Sequence, residues 1–439
     1  MGVAIKMKKK IIRNLSFFIC AAVASITLYH HFANRVNLRK FPYPFKAAVA
    51  ICNDIDETTT VDEFLEIQKF LNTTRETSIG KGVGLEIGNS FWMYSADLKD
   101  NFTYFKGLTP GPSENASIIR DFIKSGYLDV IHTFGNFSRV GGFKREMAVK
   151  AFEELNKYGC KVKVWVNHGD RFNGQNIGAA PFYRGDNHDA DEYHIDVTIR
   201  YGVEFLWTSD ITNIIGQDAN SSVFDVLKQE RRPFEILKLF VGKDTLWTIN
   251  KLLDIEVLDD ATKIYRFKRY GFWEKPYAKD LADLISAETL KSLKSKNGYM
   301  IVYAHLGRNH DSKNFISVEL QQALRYLTNE LSSGEIYVTT TSKLLQYNLF
   351  HNKLDWTVRR KDGYFNIEIN KILDEISGNR IPKLEDLQGI TFYTPNAKKT
   401  QIFIGNQQIS HMIVNPPDYT GKESVSIPLI SLKFPEKYL

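Results

Sequence analysis

Residues 48–57 read AVAICNDIDE and run from an apolar segment directly into acid. Ala48 to Cys52 have the small and β-branched character of a strand covered on both faces, the signature of a parallel sheet between helical layers. Asn53, Asp54, Asp56 and Glu57 follow without a turn. If this end faces water it is a solvated helix start, and DETTTVDE (56–63) has the chemistry of an N-cap. If it faces a pocket, the same carboxylates are a general base or metal ligands. In an extended segment residues i and i+2 share a face, so Asp54 and Asp56 point to one pole. Two carboxylates that close oppose each other's ionisation unless a cation lies between them, one ligating it and the other free to act as a base.

Outward from this stretch, strand-like runs alternate with helical patterns from about residue 46 to 345. The runs are KAAVAIC (46–52), GVGLEIG (82–88), LDVIHTFG (128–135), KVKVWVNHG (161–169), VEFLW (203–207), YMIVYAHLG (299–307) and EIYVTT (335–340). Between them VDEFLEIQKFL, KREMAVKAFEELNKYG, SAETLKSLKSKNG and SVELQQALRYLTNELSSG carry apolar residues at helical spacing, the last two opening on Ser and closing on Gly. Residues 253–272 read as a hairpin insertion. Repeated strand–helix units predict a doubly wound sheet or a (β/α) barrel. After residue 345 the pattern changes to short alternating strands, YFNIEIN, GITFYT, TQIFIGNQQI and SVSIPLISL, separated by turn signals such as NPPDYTG. The expected organisation is an N-terminal segment at 1–40, an α/β (β/α)-barrel-like domain at 41–345 and an all-β sandwich at 346–439.

Composition narrows the function. With 43% hydrophobic and 25% charged residues the chain is that of a folded protein. Its net charge of +6 is dispersed and forms no basic stripe, which argues against nucleic acid as a partner. Cys20, Cys52 and Cys160 have no C-x-x-C spacing and read as buried thiols. KMKKKIIRN (6–14) precedes the apolar run LSFFICAAVASITLY (15–29). That order is a secretory signal or signal anchor, read here as an uncleaved anchor with its charged end inside. The expected location of the body is outside the cytoplasmic membrane, anchored, or secreted if the segment is cleaved.

The chemically capable residues fall at the ends of the predicted strands: Asp54 and Asp56 after the first, Glu86 at the end of the second, His132 near the end of the third with Asn136 four positions on. His168 and Asp170 end the fourth, Trp207 and Asp210 the fifth, and His305 the run at 299–307. Three of ten histidines lie at such ends, the pole at which α/β sheets and barrels build their sites. His132 and Asn136 are one helical turn apart and reach one ion if the loop coils. Imidazole and carboxylate suit Zn²⁺, Mn²⁺, Co²⁺ or Ni²⁺.

VAICNDID, HTFGN and IVYAHLG resemble the first, second and last motifs of the polysaccharide deacetylases with the chitooligosaccharide-deacetylase homology domain. The resemblance implies a distorted (β/α) barrel over 46–345 and a divalent metal, Zn being the leading choice, that activates water against an acetamide or acetyl ester. It makes Asp54 the base and His305 the acid. It gives the metal to His132 and to the position of Ile55, which cannot ligate, so that role passes to Asp56. The second metal histidine falls on Asn136, and His168 is the substitute from the neighbouring strand end. The implied reaction removes acetyl groups from a cell-envelope or exported polysaccharide.

Further residues fit a sugar. Phe91 and Trp92 lie beyond the second strand, where an aromatic face stacks on a pyranose, and Trp207 ends the fifth. Asp170 and Asn173 in NHGDRFNGQN offer hydroxyl partners, while His188 and His194 in the next loop are placed to extend the metal site. Two competing classes stand beside the deacetylase: a glycoside hydrolase pairing Glu86 with Asp54 or Asp210, and a catalytically degenerate barrel that binds glycan.

Overall fold

A computed structural model describes residues 35–55, 58–96, 102–138, 141–170, 172–219, 250–272, 277–307 and 316–439. The N-terminal charged and apolar runs lie outside the described residues, as does Asp56. Among the described residues no helix is long and apolar enough to cross a membrane.

The chain forms a mixed α/β protein whose largest element is a curled, barrel-like sheet of nine strands. We number these β1 (Ala47–Asp54), β2 (Gly88–Phe91), β3 (Leu128–His132), β4 (Val164–Val166), β5 (Phe205–Trp207), β6 (Leu253–Val257), β7 (Lys263–Phe267), β8 (Tyr299–Ala304) and β9 (Ile336–Thr339). Their order is β6-β7-β5-β4-β3-β2-β1-β8, with β9 also on β1. All neighbours are parallel except the β6–β7 hairpin. β1 is the hub. One edge pairs with β8 from Ala48 to Asn53, while β9 takes Ala47–Ala50 and β2 takes Cys52–Asp54. The hairpin at 253–267 is not an appendage, because β7 pairs with β5 and so extends the main sheet. The second strand begins at Gly88, so Glu86 precedes it and does not end it; its carboxylate holds Lys343 Nζ at 2.8 Å and the Leu432 amide at 2.6 Å.

Helices flank the sheet: α1 (Val61–Asn72), α2 (Ala116–Ser125), α3 (Arg145–Lys157), α4 (Ile195–Tyr201), α5 (Ala278–Leu284), α6 (Ala287–Lys296), α7 (Val318–Ser332) and α8 (Thr341–Lys353), of which α1, α3, α6 and α7 lie where the apolar periodicity places them. The side chains of Thr60, Ser286 and Ser317 cap α1, α6 and α7. Thus Thr60 of DETTTVDE caps a helix, while Asp54 stays in the strand, 2% exposed. Helix α8 crosses the expected boundary at 345. It buries Leu344, Leu345, Tyr347, Asn348, Leu349 and Phe350, so no single apolar stripe marks it as a helix.

The chain divides into two compact units. The larger takes residues 44–353, 374–379 and 430–439; of the described residues, the smaller takes 35–43, 354–373 and 380–429. The C-terminus returns to the larger unit, where Phe434 and Tyr438 pack on Phe122 at 5.4 and 5.6 Å. The smaller unit holds two four-stranded sheets. One is antiparallel and includes Asn37–Arg39; the other contains the parallel pair Tyr364–Ile372 with Thr400–Ile404. Trp356 of one meets Phe392 of the other at 4.9 Å.

A buried amide network sets the register of the larger sheet. Asn53 Nδ2 donates to Asn89 Oδ1 at 2.9 Å, and its own Oδ1 accepts the Leu306 amide at 3.0 Å. Asn89 and Gln68 exchange two bonds at 2.7 and 2.8 Å, and Asn72 adds bonds to Gln68 and to both backbone groups of Ile87. One side-chain set therefore ties α1, β1, β2 and the turn after β8. Substituting Asn89→Leu strands buried partners on Asn53 and Gln68 at about 1–3 kcal/mol each. We expect a loss of roughly 3–5 kcal/mol in urea unfolding, while Asn72→Ala costs less because Gln68 keeps its pairing with Asn89.

At the opposite end of β3 from His132, burial pushes the Asp129 carboxyl up to about 6 although it accepts the Ser342 amide at 2.7 Å. The folded protein thus holds this proton more tightly than the unfolded chain. The penalty is absent below the ordinary carboxylate value, grows as pH rises, and is complete above about 6. At roughly two pH units it amounts to about 3 kcal/mol. Asp129→Asn should match the wild type in stability at pH 4 and exceed it by about that amount at pH 7.5, read as urea midpoints.

Candidate functional site

The carboxyl ends of the parallel strands converge on Asp54. Cys52 and Asp54 share one face of β1, opposite to Asn53 and its amide network. Register sets Asp54 opposite Ser90, whose hydroxyl donates to Asp54 Oδ1 at 2.6 Å. The Cys52 thiol lies 3.5 Å from the same oxygen, and Arg269 Nη1 lies 3.5 Å from Oδ2. Burial, with Asp54 beside it, raises the Cys52 thiol well above its ordinary value, so it is a neutral donor there and no nucleophile.

Arg269 is 1% exposed. Its guanidinium lies 4.6 Å from the Trp207 ring centre and 4.7 Å from that of Tyr303. Its Nε and Nη2, and the indole Nε1 of Trp92, have no hydrogen-bond partner among the described residues. Unmet buried N–H groups cost about 1–3 kcal/mol each, and a site that retains them offers donors to an acceptor-bearing ligand.

On the β2–β4 side of the pole, Trp92, His132 and His168 form a cluster. His132 and His168 have ring centres 5.3 Å apart, and each lies within 5.9 Å of Trp92. His305, 8% exposed, follows β8, with Tyr303 6.2 Å away. Two non-glycine residues at this pole have left-handed backbone, Thr133 after His132 (φ 52°) and Ser209 just past Trp207 (φ 79°). Such conformations cost about 1–3 kcal/mol each and gather at functional sites. Gly135 is forced by space, since a Cβ there would meet the Tyr94 carbonyl at 2.4 Å.

Of the residues expected to hold a metal, His132 and His168 stand together, Asn136 is engaged elsewhere and Asp56 lies outside the described residues. Asn136 spends its amide oxygen on Ser138, at 2.5 Å from the hydroxyl and 3.2 Å from the amide. His168 Nδ1 accepts the Asp170 amide at 3.3 Å. A ligating histidine instead donates from its second nitrogen, so His168 would have to change partners. Ile55 is buried in the core. Among the described residues no group of three His, Cys, Asp or Glu is placed to hold an ion.

Several residues expected at the substrate serve the fold. His194 is fully buried, with Nδ1 on Thr198 and Nε2 on the Gln175 carbonyl, and burial lowers it to about 4. Asn173 bonds the Gly135 carbonyl and Gln175. Trp207 donates to the Asp210 carbonyl at 2.6 Å and gives its face to Arg269. Trp92 is 4% exposed and walls the site. His188 has 80% of its side chain exposed and lies away from the histidine cluster in contact with Tyr193. Asp210 pairs with Arg266 at 3.6 Å.

Ser90 and Arg269 are the residues that sequence reading missed. Arg269 stands 215 positions from Asp54, just beyond a hairpin read as an insertion. The only hint for Ser90 was its place one strand over.

No protein-family model and no curated protein matches the chain. Among solved structures it is similar to the 4-alpha-glucanotransferase from Thermococcus litoralis, with a TM-score of 0.34 and 12% identity over 68% of this chain. The match spans 38% of that protein. Likeness at this level carries no functional weight.

Removing one partner of a buried pair leaves an uncompensated charge, at about 3–5 kcal/mol. Arg269→Met should therefore destabilise the protein by that amount, and adding Asp54→Asn should restore most of it. Additive losses in this double-mutant cycle would show that the two groups are not coupled.

Proposed function

We propose that this pole is the active site of a hydrolase that removes acetyl groups from a carbohydrate, an envelope or exported polysaccharide being the substrate class. The observation that carries the reading is Asp54: a buried carboxylate, oriented by Ser90 and Arg269, at a pole to which three further strands bring His132, His168 and His305. Asp54 takes a proton from the attacking water as its oxygen bonds to the acyl carbon. The unmet N–H groups of Arg269 and Trp92 are the donors available to the oxyanion that forms. His305 protonates the leaving nitrogen or oxygen as the C–N or C–O bond breaks, releasing acetate. No step is assigned to a cation.

The N-terminal basic and apolar run supports a location on the outer side of the membrane, where such a polysaccharide is met. Trp356 against Phe392 supports reading the smaller unit as a β-sandwich. The paired-carboxylate alternative loses Glu86, which Lys343 and the Leu432 amide hold away from Asp54.

The test is acetate release from N- and O-acetylated glycans. Asp54→Asn and His305→Gln should each lower the rate about 10²–10⁴-fold with circular dichroism unchanged. Wild-type protein that releases no acetate from any acetylated glycan, or variants that keep full activity, would refute the reading.

A further inference from the structure

The loop after β4 carries a feature that the proposed chemistry does not use. Phe172 and Phe182 are 51% and 46% exposed, and their ring centres stand 4.9 Å apart. The loop that presents them is firmly built. Asn167 pairs its amide with both backbone groups of Ile177, and Asn176 bonds the His168 amide and carbonyl and the Asp170 carbonyl. Gly178 donates to Asp186. Two exposed phenyl rings are therefore held in place by a polar scaffold.

Both rings are wired to the strand-end pole. Asp170 accepts the Phe172 amide at 2.9 Å and donates its own amide to His168 Nδ1. Tyr183, next to Phe182, reaches Ser209 at 3.3 Å, just past the end of β5. The pair thus stands beside the proposed site, between the ends of β4 and β5.

We propose that Phe172 and Phe182, whose ring planes are inclined at 52°, form an angled aromatic platform on which a glycan chain stacks, at units other than the one undergoing hydrolysis. The inference rests on the carbohydrate reading above and adds that the substrate is a chain. Size favours this occupant. Two half-exposed phenyl rings offer roughly 200 Å², far below the ~800 Å² per partner of a protein interface, and suited to the C–H face of one or two pyranoses. Asp170, Tyr183 and Arg184 flank the rings in sequence and supply partners for hydroxyls.

Titration calorimetry with the N-acetylglucosamine hexamer, cellohexaose and the N-acetylglucosamine monomer tests it. In Phe172→Ala/Phe182→Ala, binding of whichever hexamer the wild type takes should weaken at least tenfold, with monomer binding and the urea midpoint unchanged. Phe182→Leu keeps the bulk without the flat face and should weaken it as well; Phe172→Tyr/Phe182→Tyr should retain it. Unchanged hexamer binding in the alanine variant overturns the platform, as does failure of the wild type to bind either hexamer. A wild-type dimer in light scattering that the alanine variant dissociates also overturns it, because the rings then serve self-association. Hexamer binding lost in the variant without acetate release from any substrate keeps the platform and removes the deacetylase reading. Acetate release with hexamer binding intact in the variant does the reverse.

Discussion

Asn53 is the residue on which the arrangement turns. Its side chain points away from the site into a buried set of amides, and each amide can be satisfied only if β1, β2, α1 and the turn after β8 meet in one register. A slip of one residue along β1 would break these bonds and also turn Asp54 into the opposite face. The polar network and the placement of Asp54 are thus two faces of one strand. Unmet buried amides are costly, so the network rejects other registers more strongly than apolar packing would, since β-branched and small side chains tolerate sliding.

With the register set, Asp54 has no freedom to be an ordinary surface carboxylate. It is almost wholly buried, so its charge must be balanced locally, and Arg269 supplies the balance while Ser90 fixes one oxygen. Arg269 is itself held between Trp207 and Tyr303, so the orientation of Asp54 depends on strands β5 and β8 as well as β1. This explains why two tryptophans that look like sugar platforms in the sequence are walls of the site instead. Exposed aromatic rings lie one loop further out, on Phe172 and Phe182.

The histidines divide in a similar way. His132, His168 and His305 stand at strand ends on the pole, whereas His194, in a sequence equally rich in polar residues, has both nitrogens satisfied inside the fold. Nothing in the local sequence separates these cases. The difference arises from what packs above each ring: Trp92 beside His132 and His168, against Phe134, Phe143 and Trp165 around His194.

Alternation of apolar runs with amphipathic helices was enough to place most of the parallel strands and half of the helices, because periodicity and capping are local properties. Helix α8 escaped that reading because it is buried on several faces. The return of residues 430–439 to the larger unit escaped it because chain direction leaves no mark on composition. The site was legible only in part: Asp54 was visible as acid at the end of a strand, but its partner Arg269 was not. Pairing between residues 215 positions apart depends on how far the sheet curls, and only the folded chain sets that distance.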